Sequence, residues 1–445
     1  MERLQRIAAH VHGSQNSSPL WVQLMDENPR PGPTGGGCRC SASKWRYVCK
    51  CYPCLEHGGR QNDFDWSPDL MRGLTEAPSP VWRSRGLVPQ GMASEKSGDL
   101  GQIELHGVQR HTSPDGRIIG ALTPGVHPRY AGIATFARLP QKHELPPNSQ
   151  VDIAVLGVPF DSGCSFRPGA RFGPEAVRTN SRLIRPYMIA QAQRPLLERQ
   201  VIDAGDVAVT PFGIDRAVDQ IFNESRRQLR DARRLVAIGG DHTLSYPVIK
   251  AVAEKFGPVV LIHFDSHLDT FPPMYDQDIW HGSPFRVCWE DGLLAKDGST
   301  HVGIRATTYC SDDFAESDKM GIATLTAEDV HDRGVEACLQ VVRERHQKSG
   351  GAPVYLSIDI DVLDPSVAPG TGTPEFGGLL AHQLLKFVRG LKGLPIVGAD
   401  VLEIAPAYDH AGITAMAAAH LALEILGLMN SCMDADGFDQ LPFKT

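Results

Sequence analysis

Side chains able to bind metal ions and move protons fall at short, regular spacings in three stretches: Gly239-Gly240-Asp241-His242, Asp265-Ser266-His267-Leu268-Asp269, and Asp359-Ile360-Asp361-Val362-Leu363-Asp364-Pro365. In extended backbone, residues two apart project to the same side, so Asp265, His267 and Asp269 form one prong and Asp359 with Asp361 another. Carboxylates and imidazoles without a cysteine are the ligand set of hard to borderline divalent ions such as manganese. Left alone, so many gathered carboxylates would repel one another and resist ionisation; two divalent cations remove that conflict. The pattern therefore predicts an oxygen-rich centre with two ions, suited to activating water at neutral pH. Singly, each piece has a plainer reading: Asp-x-Asp as a turn or helix cap, and His242 as a ring satisfied by backbone hydrogen bonds.

Each stretch follows a short apolar run: LVAI (235–238), VVLIHF (259–264) and VYLSIDI (354–360), the last overlapping its motif. DIAVLGV (152–158) and IVGADVL (396–402) have the same character, apolar on both faces, as strands covered on both sides require. Amphipathic helices are expected at 215–233, 246–255 and 379–391. The alternation predicts an α/β fold, a three-layer αβα arrangement with a mostly parallel, doubly wound sheet, over 151–429. Ligands of such sheets gather beyond the carboxyl ends of strands, which is where the three stretches fall. Residues 92–150, rich in Pro, His and Gly, read as a lead-in arm, and 430–445 as a C-terminal tail.

The chain has 445 residues, 42% hydrophobic and 22% charged, which excludes a wholly disordered chain or a fibre. Its net charge of −8 gives no pull towards nucleic acid or an anionic membrane and suits a cationic small molecule. No uninterrupted apolar run reaches the length of about eighteen residues needed to span a bilayer, and the start lacks a secretory apolar core. A cytoplasmic protein is expected, with a mitochondrial one as the alternative. Residues 1–91 hold four of the six tryptophans and the run PRPGPTGGG without a sustained period, and read as an irregular, disordered extension. Within it, Cys38, Cys40, Cys49, Cys51 and Cys54 leave a structural zinc site open, with His57 as a further ligand. Met92 is a plausible alternative start. Cys164, Cys288, Cys310, Cys338 and Cys432, scattered singly, read as reduced thiols.

GGDHTLSYP, HFDSHLDT and SIDIDVLDPSVAPGTGTPEFGG, in that order, resemble the signature stretches of the ureohydrolase family, the arginases, agmatinases and guanidinobutyrases, with the likeness running from about Val151 to Leu428. The resemblance implies an enzyme that cleaves a guanidino compound to urea and an amine. It implies two manganese ions, one bound by His242, Asp265, Asp269 and Asp359, the other by Asp265, His267, Asp359 and Asp361, with Asp265 and Asp359 bridging. Trp280-His281-Gly282 is similar to the segment whose imidazole relays protons to the leaving amine; a surface histidine is the plainer reading. Leu402-Glu403-Ile404 is similar to the stretch whose glutamate grips the guanidinium, a planar fork that a carboxylate meets with two parallel bonds. Thr373 would sit near the same group, and Asp269 would steady the tetrahedral intermediate and pass a proton to the departing nitrogen. The run Arg167–Pro174 also matches, read here as a rigid loop opening a helix. Family members are commonly trimers or hexamers, so a homo-oligomer is implied.

The segment TFPPMYDQDIW (270–280) resembles agmatinases in length and carries Asp276 and Asp278 with no Lys or Arg. An acidic loop would favour agmatine, cleaved to putrescine, over a guanidino acid; alternatively both aspartates face solvent. Ser266 stands where alanine is common in agmatinases, and Phe166 where asparagine often precedes the arginine; Phe166 keeps 4-guanidinobutyrate and other guanidino compounds open. A deacetylase-type metal hydrolase and a non-catalytic regulator are further readings, disfavoured by the retained DxHxD, DxD and His281.

Overall fold

The computed structural model describes residues 101–105, 108–120, 128–435 and 437–438. The expected extension at 1–91, its cysteine cluster and Met92 lie outside the described residues. Within the arm, three short strands, β1 (Gly101–Leu105), β2 (Val108–Thr112) and β3 (Ile118–Ile119), pair antiparallel where no strand was expected.

The main sheet has eight parallel strands: β4 (Val151–Val158), β5 (Val201–Asp206), β6 (Ala232–Gly239), β7 (Val260–Phe264), β8 (Thr300–Ile304), β9 (Ala323–Thr326), β10 (Val354–Asp359) and β11 (Ile396–Leu402). Their order is β5-β4-β6-β11-β10-β7-β8-β9. Alternate residues of the central strands enter opposite cores, as Val155 and Leu156 of β4 do. One core is covered by α2 (Ile214–Asp231), α3 (Ser245–Phe256) and α4 (Pro284–Glu290). The other lies under α1 (Gly173–Ser181), α7 (Val335–Lys348), α8 (Ala381–Gly390) and α9 (Ile413–Cys432), with α5 (Asp312–Lys319) and α6 (Ala327–Arg333) near the sheet's far edge. These are the three expected layers, and the apolar runs lacked a polar face because both sides are covered.

Helix α9 runs past the expected domain end at 429 to Cys432, with Met433 buried behind it. It is long and apolar enough to cross a membrane, yet 72% of its apolar window is buried inside the fold. A helix apolar all round is what a position between neighbouring helices and a sheet requires.

The connection from β6 to β7 skips two positions, which β10 and β11 later fill. Four carboxyl ends, those of β6, β11, β10 and β7, thus lie side by side at the centre of the sheet. Crevices of this kind, where consecutive strands part, are the binding sites of open α/β sheets.

Candidate active site

Gly240 decides how the chain leaves β6. A Cβ there would stand 2.0 Å from the Phe160 carbonyl oxygen, so only glycine lets the turn pass that close to the end of β4. Its N–H donates to the Val158 carbonyl at 3.1 Å, and its own carbonyl accepts from the Glu403 N–H at 2.9 Å. His242 follows in a fully buried turn, capped by the Asp241 carboxylate, which accepts the Thr243 N–H. Beyond β7 the DxHxD segment turns, with Asp269 at φ 52°. Glu403, at the end of β11, has φ 60°. Left-handed backbone at such residues costs of order 1–3 kcal/mol and persists where the surroundings enforce it, most often at functional sites.

All six expected ligands converge. His242 Nδ1 lies 3.2 Å from Asp265 Oδ2, 2.9 Å from Asp269 Oδ2 and 3.3 Å from Asp359 Oδ2. His267 Nδ1 lies 3.3 Å from Asp265 Oδ1 and 3.0 Å from Asp361 Oδ2. Asp265 faces both groups, as a bridging ligand must. Asp359 joins the His242 group directly, and its other oxygen accepts the Asp361 N–H at 2.8 Å.

The charges are in conflict without a cation. Burial, and then Asp361 and Asp265, push the Asp359 carboxyl well above the usual range, and burial with Asp265 raises Asp361 too. Burial also opposes ionisation of Asp265, but His263, His242 and His267 outweigh it and hold that carboxyl well below its usual value. Burial works against charging His242 and His267, yet the carboxylates around them hold both well above the ordinary imidazole range. His242 Nδ1 and Asp361 Oδ2 are fully buried and make no well-aligned hydrogen bond, their nearest polar neighbours being other atoms of the same cluster. Acceptor atoms converging around these buried ligand atoms fit a divalent cation, so the residues present suit a metal centre.

His281 stands beside this centre and is not a surface residue: it is 9% exposed. Its Nδ1 is 3.2 Å from Glu403 Oε1, which also accepts the His242 N–H at 2.9 Å. At Nε2 the Ser165 N–H donates at 3.1 Å and the Ser165 hydroxyl lies at 2.7 Å. Burial lowers the His281 pKa and Glu403 raises it, with a net rise. The Ser165 amide favours a bare Nε2 and opposes that rise, but an ionised carboxylate outweighs an amide dipole, and the hydroxyl can accept from a protonated ring.

A cavity of about 150 Å³ opens onto His267, Asp269, Asp359, His281, Ser165 and Thr373, walled by Phe271, Trp280 and Tyr309. No Lys or Arg is among the described residues that line it. Asp276 and Asp278 are exposed and line no part of it, so the solvent-facing alternative describes them. Phe166 is 68% exposed, and Arg167 beside it is occupied in bonding the Gly372 and Thr371 carbonyls. The loop through Pro168 leads into α1, as expected. Sequence reasoning missed Ser165, His263 and the aromatic wall. His263 sits two residues before Asp265 on β7, the same spacing that singled out His267, and was overlooked as part of an apolar strand.

A family model described as "Arginase family" matches residues 151–427. The guanidinobutyrase of Pseudomonas aeruginosa is 42% identical over 67% of this chain and 93% of its own length. A mitochondrial agmatinase of Gallus gallus is 39% identical over 67% of this chain and 86% of its own. Among solved structures, the proclavaminate amidino hydrolase of Streptomyces clavuligerus is similar at a TM-score of 0.64 and 39% identity, covering 68% of this chain and 99% of that one. The chain belongs to the arginase family, and it is a guanidino hydrolase acting on amidino C–N bonds.

Proposed function

We propose that this protein cleaves agmatine to urea and putrescine at a centre of two manganese ions. His242, Asp265, Asp269 and Asp359 would hold one ion, and Asp265, His267, Asp359 and Asp361 the other. The observation that carries the metal centre is the convergence of these six side chains around buried ligand atoms without well-aligned hydrogen bonds. For the substrate it is a cavity lined by carboxylates and aromatic rings but by no described Lys or Arg, which suits a second cationic group and offers nothing to a carboxylate. Four aspartates and a pair of divalent ions balance in charge, so the centre does not repel a cation.

A guanidinium stays protonated at any physiological pH and its carbon is a poor electrophile. When bound, a pair of divalent ions supplies a water acidic enough to act as nucleophile near neutrality. Glu403 Oε1 is occupied by the His242 amide and His281, leaving Oε2 to accept a guanidinium N–H. Asp269 takes the proton released on attack and returns it to the departing nitrogen. His281, whose pKa its contact with Glu403 raises against the opposing effect of burial, resupplies protons, and its Ser165 contacts orient the ring. Thr373 lines the same cavity and orients the substrate. The same reading carries a cytoplasmic homo-oligomer, a trimer or hexamer, which light scattering measures.

A guanidino acid such as 4-guanidinobutyrate is the second reading, favoured by the 42% identity to a guanidinobutyrase. Urea release by manganese-loaded protein, compared across agmatine, 4-guanidinobutyrate and arginine, separates the two. Agmatine is expected to have the highest kcat/KM; preference for the guanidino acid overturns the substrate, and no urea from any of them overturns the hydrolase mechanism.

A further inference from the structure

Beside the centre, outside the lining of the cavity, two fully buried histidines lie in series with Asp265. His263 Nε2 is 2.8 Å from Asp265 Oδ2, and His263 Nδ1 is 2.8 Å from Nδ1 of His301 on β8. The outer nitrogen of the pair, His301 Nε2, is buried and has no hydrogen-bond partner. Phe285 closes the space, its ring centroid 4.4 Å from that of His263. Neither histidine touches the cavity that takes the substrate.

The hydrogen positions follow from elementary accounting. A carboxylate only accepts, so a bare Nε2 at 2.8 Å from Asp265 would set lone pair against lone pair; His263 Nε2 therefore carries a hydrogen. A second hydrogen on His263 would make it a buried cation beside two divalent ions, so its Nδ1 is bare. The contact between the two Nδ1 atoms then needs its hydrogen from His301. That leaves His301 Nε2 bare, in agreement with its lack of any acceptor.

We infer that His301 is a positioning residue for the metal centre: by donating Nδ1–H to His263 it fixes the tautomer in which His263 donates to Asp265 and aims that bridging carboxylate at the ions. The inference rests on the proposed metal centre. Asp265 Oδ1 is already tied to the His267 N–H at 2.6 Å, so the two bonds together leave the carboxylate one orientation. Ligands held by outer partners in this way lose about 10- to 100-fold in metal affinity when the partner is removed.

The test is calorimetric titration of manganese into the chelator-stripped full-length protein and its variants. Asparagine places its N–H where imidazole carries Nδ1–H, whereas glutamine places it near Nε2. His301→Asn should therefore stay within about threefold of wild-type affinity, and His301→Gln should lose about tenfold or more. In a His263→Gln background, where the amide can itself donate to Asp265, His301→Gln should add no more than about twofold. Wild-type affinity in His301→Gln, equal losses in both His301 variants, or losses that multiply in the double variant each overturn the inference. A wild-type protein that takes up no manganese instead overturns the metal centre on which it rests.

Discussion

At Asp265 both oxygens are committed, one to the His267 amide and the other to His263, with two further imidazoles within 3.3 Å. Asp265→Asn removes the negative charge and replaces one acceptor oxygen with a donor N–H, although the His267 amide and His263 each need an acceptor there. Loss of more than about a hundredfold in manganese affinity is expected, beyond the range of outer-shell partners, with urea release lost in parallel. Metal analysis after dialysis checks this. At His281 the expectation concerns pH. Burial opposes charging of the ring, but Glu403 outweighs it and raises the pKa above the ordinary 6.5, so the imidazole keeps its proton to higher pH than a free one. The kcat profile of a manganese-loaded enzyme should carry an alkaline limb above pH 6.5, and Glu403→Gln should move that limb to lower pH. An unmoved limb assigns it to another group.

At the scale of elements, the turn after β6 carries two parts of the site. Gly240 accepts the Glu403 N–H and directs His242 inward, and its missing side chain is what lets the chain run under Phe160. Gly240→Ala forces the turn off the end of β4. A loss of about 1–3 kcal/mol in stability is expected, the usual cost of overpacking, together with a fall in kcat because His242 and Glu403 move as well. Thermal melting and the urea assay measure the two effects. At Gly282, by contrast, a side chain would first meet the Trp280 ring, 2.4 Å from where its Cβ would stand, so this glycine constrains the cavity wall.

For the whole molecule, the residues of the proposed site run from Ser165 to Glu403, inside the family match at 151–427. Among the described residues, the parallel sheet and both cores also lie in that span or just beyond it. Because every residue of the proposed site falls inside the family match, a protein beginning at Met92 is expected to retain kcat and manganese stoichiometry within about twofold of the full chain. A larger fall assigns residues 1–91 a part in the active enzyme.

The sequence by itself marked the three stretches that hold the six candidate ligands, whose assignment the family resemblance implies, together with the strands before them and the layered α/β fold. These are local properties: a spacing of two within one segment, or an apolar run of strand length, is visible without knowing what packs against it. Only the tertiary structure decided that Ser165 meets His281 across 116 residues and that His301 meets His263 across 38, because nothing in either local pattern marks the partner. It also resolved Asp276 and Asp278, whose charge alone did not say whether they face a substrate or solvent; their loop turns them outward. The crevice itself came from strand order. The jump from β6 to β7, filled later by β10 and β11, places four distant segments side by side, and no periodicity within any of them encodes that arrangement.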